Sequence, residues 1–137
     1  MKYWLVKSEP FKYSWTQFEN DKKTFWDGVR NYAARNNLKS MSKDDLVLFY
    51  HSNEGLEIVG VAKVIKESYQ DPTTEETAWV AVDLAPVKKL SKPVSLQSIK
   101  KDDILKEMQF VKQGRLSVSL ATEDEFFRVL MLANTEL

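Results

Sequence analysis

Two short apolar runs, residues 46–50 and 58–65, constrain this chain more than any other feature, with His51-Ser52-Asn53-Glu54-Gly55 lying between them. Runs this brief, rich in β-branched and aromatic residues, form strands rather than helices. The five residues between them carry turn chemistry, so the pair predicts an antiparallel hairpin. Residues 3–7 predict a buried strand at the start. Residues 79–87 predict another, broken near Pro86, and residues 116–120 a last one. Ser14-Trp15-Thr16-Gln17 reads as a capping box ahead of a short helix to about residue 20. Thr122-Glu123-Asp124-Glu125 reads as a second, and Phe126, Phe127, Val129, Leu130 and Leu132 give the helix after it a broad apolar face. A helical turn is expected over 31–38, a short helix over 93–101 across a barrel mouth, and helical spacing over 105–111. Residues 25–31 have no regular period, contain Gly28, and are expected to form a loop. Together these elements predict a mixed α/β (α+β) fold, a partly open β-barrel of five to six strands with short flanking helices. One domain over residues 1–137 is expected, with no repeat or linker inside it.

Composition removes several classes of function. The absence of cysteine excludes disulfides, zinc–thiolate sites and thiol nucleophiles. A single histidine, His51, leaves no metal-ligand set, and the glycines at 28, 55, 60 and 114 are too scattered for a phosphate-binding loop. No metal and no cofactor are therefore expected. His51 is followed directly by Ser52, and neighbours on a strand face opposite ways, so the pair cannot act as nucleophile and base. No nucleophile-elbow pattern is present, and the chain is not expected to be an enzyme. No stretch approaches the ~18 apolar residues of a membrane span. With no signal-peptide pattern either, a cytoplasmic location is expected, or a nuclear one if the source is eukaryotic.

Formal charge is zero, with 20 basic and 20 acidic residues. That argues against a sequence-blind duplex binder, but not against recognition of one extruded base by stacking and edge hydrogen bonds. The charge is uneven. Lys22, Lys23, Arg30, Arg35, Lys39 and Lys43 face only Asp27 over residues 22–43, whereas Glu67, Asp71, Glu75 and Glu76 lie in a stretch with no basic residue. The unusual segment is Phe25-Trp26-Asp27-Gly28-Val29-Arg30-Asn31-Tyr32, which gathers aromatics, an acid, a glycine, a guanidinium and an amide. A bound base needs a flat apolar surface, donors and acceptors at its edge, and close backbone approach. On the residues alone, a buried Trp26 with Asp27 and Arg30 as a local ion pair is an equal reading.

Tyr3-Trp4-Leu5-Val6-Lys7-Ser8-Glu9-Pro10 resembles the opening signature of the EVE family, and Trp26-Asp27-Gly28-Val29-Arg30-Asn31-Tyr32 with Ala34-Arg35-Asn36-Asn37-Leu38 resembles its central motif. Phe49-Tyr50-His51-Ser52, Ile58-Val59-Gly60-Val61-Ala62, Tyr69-Gln70-Asp71-Pro72-Thr73 and Arg115-Leu116-Ser117-Val118 follow in the expected order. Leu56-Glu57 departs from the pattern, standing where many relatives carry a proline at the hairpin tip. The resemblance implies a PUA-like barrel related to the YTH readers of methylated adenosine. It also implies a non-catalytic module that binds nucleic acid carrying a modified base, in DNA or RNA. Carried onto this chain, it implies Trp26 as the stacking platform, with Lys7 and Ser8 at the pocket rim and Asp27, Asn31 and Asn36 at the base edge. Tyr50, His51 and Ser52 would come from the next strand, and Arg30, Arg35 and Arg115 are candidates for phosphate contacts or for structural ion pairs. An enzyme or accessory subunit acting on modified nucleotides, or a small-molecule or peptide module, would be the alternatives.

Overall fold

A computed structural model describes all residues, 1–137. Its strands are β1 (Tyr3–Ser8), β2 (Thr24–Trp26), β3 (Leu46–His51), β4 (Glu57–Gln70), β5 (Val80–Ser95) and β6 (Val118–Ala121). Its helices are α1 (Trp15–Asp21), α2 (Tyr32–Ser40), α3 (Leu96–Lys101), α4 (Gln109–Lys112) and α5 (Glu123–Leu132), with a 3-10 turn at Leu105–Glu107. The six strands form one sheet in the order β2-β5-β4-β3-β1-β6. β1 runs parallel to β3, and the other pairs are antiparallel.

Alternation along the strands builds two cores. Trp4 and Val6 of β1 and Val47 and Phe49 of β3 point to one face, where they join Trp15, Phe18, Ala34 and Leu38 from α1 and α2. Tyr3, Leu5, Leu48 and Tyr50 point to the other, where they meet Ile99, Phe110, Phe126, Val129 and Leu130. A strand buried on both faces shows no polar alternation, and the expected apolar runs are this pattern.

The expected 46–50 and 58–65 hairpin forms, but β4 and β5 are far longer than expected. β5 continues through Pro86 and Pro93, with pairing shifts opposite it between Val61 and Ala62 and between Ile58 and Gly60. Bulges let a strand absorb proline, which cannot donate to the ladder. The expected helix over 93–101 is therefore cut to α3, capped by Ser95 accepting from the Ser98 amide at 3.1 Å. The expected loop over 25–31 also begins as strand, since Phe25 and Trp26 pair with Asp83 and Val82 of β5. The capping box ahead of α5 is complete, with Thr122 and Glu125 exchanging side-chain-to-amide bonds of 3.1 and 2.9 Å. The one at α1 is only half formed: Ser14 accepts from the Gln17 amide, while the Gln17 side chain turns to Asp21.

The two edge strands, β2 and β6, do not pair with each other, so the barrel is open along that seam. α2 packs against β6 there, and Asn37 donates to the Val118 carbonyl at 2.7 Å. A side chain thus occupies backbone valence that an open edge would leave free. The site lies in the remainder of this seam.

Candidate functional site

Between β2 on one side and the ends of β1 and β6 on the other lies a cavity of about 470 Å³. That is within the range of small-ligand clefts, roughly 300–1,000 Å³. Of the residues expected to form a pocket, Lys7, Ser8, Trp26, Asp27 and Arg30 line it. Tyr13, Phe25, Gly28 and Ser117 join them, and Glu9, Lys12, Thr24 and Val29 complete the wall.

Trp26 is half-buried and held from two sides. Phe49 lies 5.6 Å away at 83° and Tyr13 6.4 Å away at 76°, edge-to-face contacts that fix the indole orientation. Tyr13 is in turn tied to Asp21 at 3.0 Å, and burial raises its phenol above the ordinary value. The segment after Trp26 is set by a residue outside the expected group, Asp71. Its buried carboxylate accepts from the Gly28 amide at 2.8 Å, from Arg30 at 3.0 Å and from the Thr73 amide at 2.7 Å. Burial pushes this acid up, but the hydrogen bonds from Thr73, Gly28 and Arg30 outweigh it and hold the carboxyl at about 2. Gly28 itself adopts φ +71°, a conformation that glycine takes without strain. Arg30 thus pairs with Asp71 instead of Asp27, which replaces the local ion pair with one that reaches across the fold.

Charge in the cavity is largely matched. Lys12 bridges Glu9 at 3.0 Å and Arg30 is spent on Asp71. Lys7 donates to the Gly114 carbonyl at 2.7 Å, and burial lowers its pKa. The Ser8 hydroxyl is given to the Tyr13 carbonyl. A cleft with balanced charge, an aromatic wall and a few oriented polar groups suits a planar, uncharged ligand better than a bare anion.

The structure places the other expected residues elsewhere. Asn31 lines a neighbouring cavity of about 280 Å³ with Ala33, Gln113, Gly114, Arg115 and Leu116. Its side-chain oxygen caps α2 by accepting from the Ala34 amide at 2.9 Å. Asn36 is exposed one turn further on and accepts from Arg35 at 2.9 Å. Arg35 also donates to the Ala78 carbonyl and stacks over Tyr32, 4.9 Å from its centroid, and bridges to no carboxylate. Tyr50 and Ser52 lie across Lys7 from the Trp26 cavity, in a separate recess of about 230 Å³ with Asn53, Leu56, Leu96 and Phe110. Tyr50 is only 3% exposed and belongs to the second core, because it alternates with Phe49 along β3. The His51 Nε2 accepts from the Trp15 amide at 3.1 Å, so the imidazole caps the start of α1. That role needs a neutral ring, and burial does lower its pKa, against a smaller opposing pull from Glu57.

Sequence reasoning missed Tyr13 and Asp71 as parts of the site. Nothing near Tyr13 signals it, because its contact with Trp26 spans two elements. Asp71 does carry a signal, standing in the Tyr69-Gln70-Asp71-Pro72-Thr73 motif.

Comparison with known proteins supplies the wider setting. The model of the EVE domain family matches residues 2–132. Thymocyte nuclear protein 1 of Mus musculus is 34% identical in an alignment that covers 98% of this chain and 74% of the relative. A solved protein of Agrobacterium tumefaciens is similar with TM-score 0.96 and 41% identity, over 98% of this chain and 94% of its own. Human THYN1 protein, solved in complex with 5-methylcytosine-containing DNA, matches with TM-score 0.90 and 32% identity over 100% of both chains.

Proposed function

Since the chain belongs to the EVE domain family, we propose that it is a non-catalytic reader of a modified base in nucleic acid, taken into the open seam against Trp26. The observation that carries this reading is the cleft itself. It has a preset indole wall, a nearly balanced set of charges, and Trp26 as the one tryptophan among its lining residues. The human relative's complex with 5-methylcytosine-containing DNA supports a modified base in DNA as the ligand.

In this reading a flipped or single-stranded base stacks on Trp26. Asp27 and Ser8 face its edge, and Lys7 lies at the rim. One base stacked on an aromatic contributes ~1–3 kcal/mol, so useful affinity needs backbone contacts as well. Turnover is not part of the reading. The one histidine is committed to the α1 cap, and the Ser8 hydroxyl is given to a backbone carbonyl.

The test is titration of the protein with a panel of modified nucleosides and short oligonucleotides, followed by tryptophan fluorescence. Trp4, Trp15 and Trp79 are only 2%, 2% and 8% exposed, so a stacking quench reports mainly on Trp26. Saturable quenching by one modified base and not by its plain counterpart is expected. Trp26→Ala, read by anisotropy of a labelled oligonucleotide, should lose the discrimination while keeping a folded circular dichroism spectrum. Unchanged discrimination in that variant, or no response to any member of the panel, would overturn the assignment.

A further inference from the structure

The cavity holding Trp26 and the cavity holding Arg115 are walled by the same two stretches of chain. Residues 28–30 line the first and Asn31 and Ala33 the second on one side; Ser117 lines the first and residues 113–116 the second on the other. The two cavities are therefore neighbours, bounded by the same two stretches of chain. The second, about 280 Å³, contains no acidic residue. Its single charge is Arg115, an exposed guanidinium with no hydrogen bond and no ion pair in the structure. This sets Arg115 apart from the other two candidate arginines. Arg30 is bound to Asp71 and Thr73, and Arg35 to Asn36, the Ala78 carbonyl and the Tyr32 ring.

We propose that the Arg115 cavity is a phosphate subsite, taking the backbone phosphate that adjoins the base held in the Trp26 cavity. The inference rests on the base-reading proposal and adds to it the division of labour between the two cavities. The Trp26 part discriminates between bases. The Arg115 part binds any strand equally, because phosphate contacts position a nucleic acid without reading it. A guanidinium with its donors unspent supplies a charge-assisted, bidentate contact, whereas Arg30 and Arg35 would first have to break the bonds they hold.

The experiment measures anisotropy of fluorescein-labelled DNA, single-stranded and duplex, carrying one 5-methylcytosine or plain cytosine, over a series of salt concentrations. It compares the wild-type protein with Arg115→Ala, Arg115→Lys, Trp26→Ala and Lys89→Ala. Lys89 is an exposed lysine on β5 that lines neither cavity, and its loss matches the change in net charge. Arg115→Ala should weaken both DNAs by the same factor, roughly tenfold, and lower the slope of log affinity on log salt by about one. Arg115→Lys should restore the slope and only part of the affinity, and Lys89→Ala should change neither. Trp26→Ala should do the converse, abolishing the ratio between the two DNAs and keeping the slope. Wild-type binding with an unchanged slope in Arg115→Ala, or a loss confined to the modified DNA, would overturn the phosphate subsite alone. A selectivity ratio that survives Trp26→Ala would overturn the base-reading proposal and leave the phosphate contact to be judged by its slope. Absence of wild-type binding to every DNA would overturn both.

Discussion

Asp71 governs the cavity without lining it. A carboxylate this buried persists because each oxygen is matched: one by the Thr73 amide and hydroxyl, the other by the Gly28 amide and Arg30. Replacing it with asparagine removes the charge that Arg30 and the amides are arranged to meet, and presents an NH2 to donors. Asp71→Asn is expected to cost about 1–3 kcal/mol in urea denaturation, a range set by leaving buried groups unpaired. It should also loosen the rim and weaken binding in the fluorescence titration. Equal stability and binding in that variant would mean that the Asp71 carboxylate does not hold the rim. The site was only partly legible at this scale, and for a physical reason. Trp26, Asp27, Gly28 and Arg30 are sequence neighbours and could be read together. The carboxylate that meets Gly28 and Arg30 comes from the connection just after β4, 41 to 43 residues away, and spacing carries no signal of that contact.

At the level of elements, local chemistry was readable and long-range pairing was not. The Thr122 capping box, the central hairpin and the first and last strands follow from residues within a few positions of one another. The strand character of Phe25 and Trp26 follows from β5, which only the fold brings alongside. Pro86 marks a strand break and Pro93 a helix start when read alone, yet pairing shifts in β5 carry the strand past both. Gly60 shows the same limit. A Cβ there would lie 2.5 Å from the Trp15 ring, so it is α1 resting on β4 that requires a bare backbone. Trp15 is 2% exposed and enclosed by Phe18 and Phe49, and has no space into which to retreat. Gly60→Ala is therefore expected to destabilise the protein by about 1–3 kcal/mol, the usual range for overpacking a core. The shift in urea midpoint should be accompanied by a changed near-ultraviolet circular dichroism spectrum, because the displaced group is an indole. A neutral result would show that α1 slides freely on the sheet.

The molecule as a whole has no net charge to spread across its surface, so its response to pH is governed by a few groups whose protons are held differently in the folded and unfolded chain. Burial lowers the pKa of His51 below 6.5, so the folded state keeps the ring neutral while the unfolded chain takes up a proton. The sign is a loss of stability as pH falls below the unfolded value, continuing until the folded ring also titrates. Asp71, held at about 2 against an unfolded 3.8, acts in the same direction in a lower window, losing its contribution as pH falls from 3.8 towards 2. Asp102, lowered chiefly by its bonds to Arg128, joins it there and ties α5 to the end of α3. On the alkaline side burial raises Tyr50, and burial with the bond to Asp83 raises Tyr69, so stability falls again as pH rises past 10. A plateau between these limits follows, with the His51 decline as its acid edge. The imidazole contributes twice to that edge, because protonation removes the lone pair that caps Trp15 and places a positive charge at the positive end of α1. His51→Gln keeps an acceptor and cannot titrate, so urea midpoints at about pH 5 and about pH 8 should lie closer together in the variant than in the wild type. An unchanged gap would assign the decline to other groups and leave His51 as a cap whose protonation the fold tolerates.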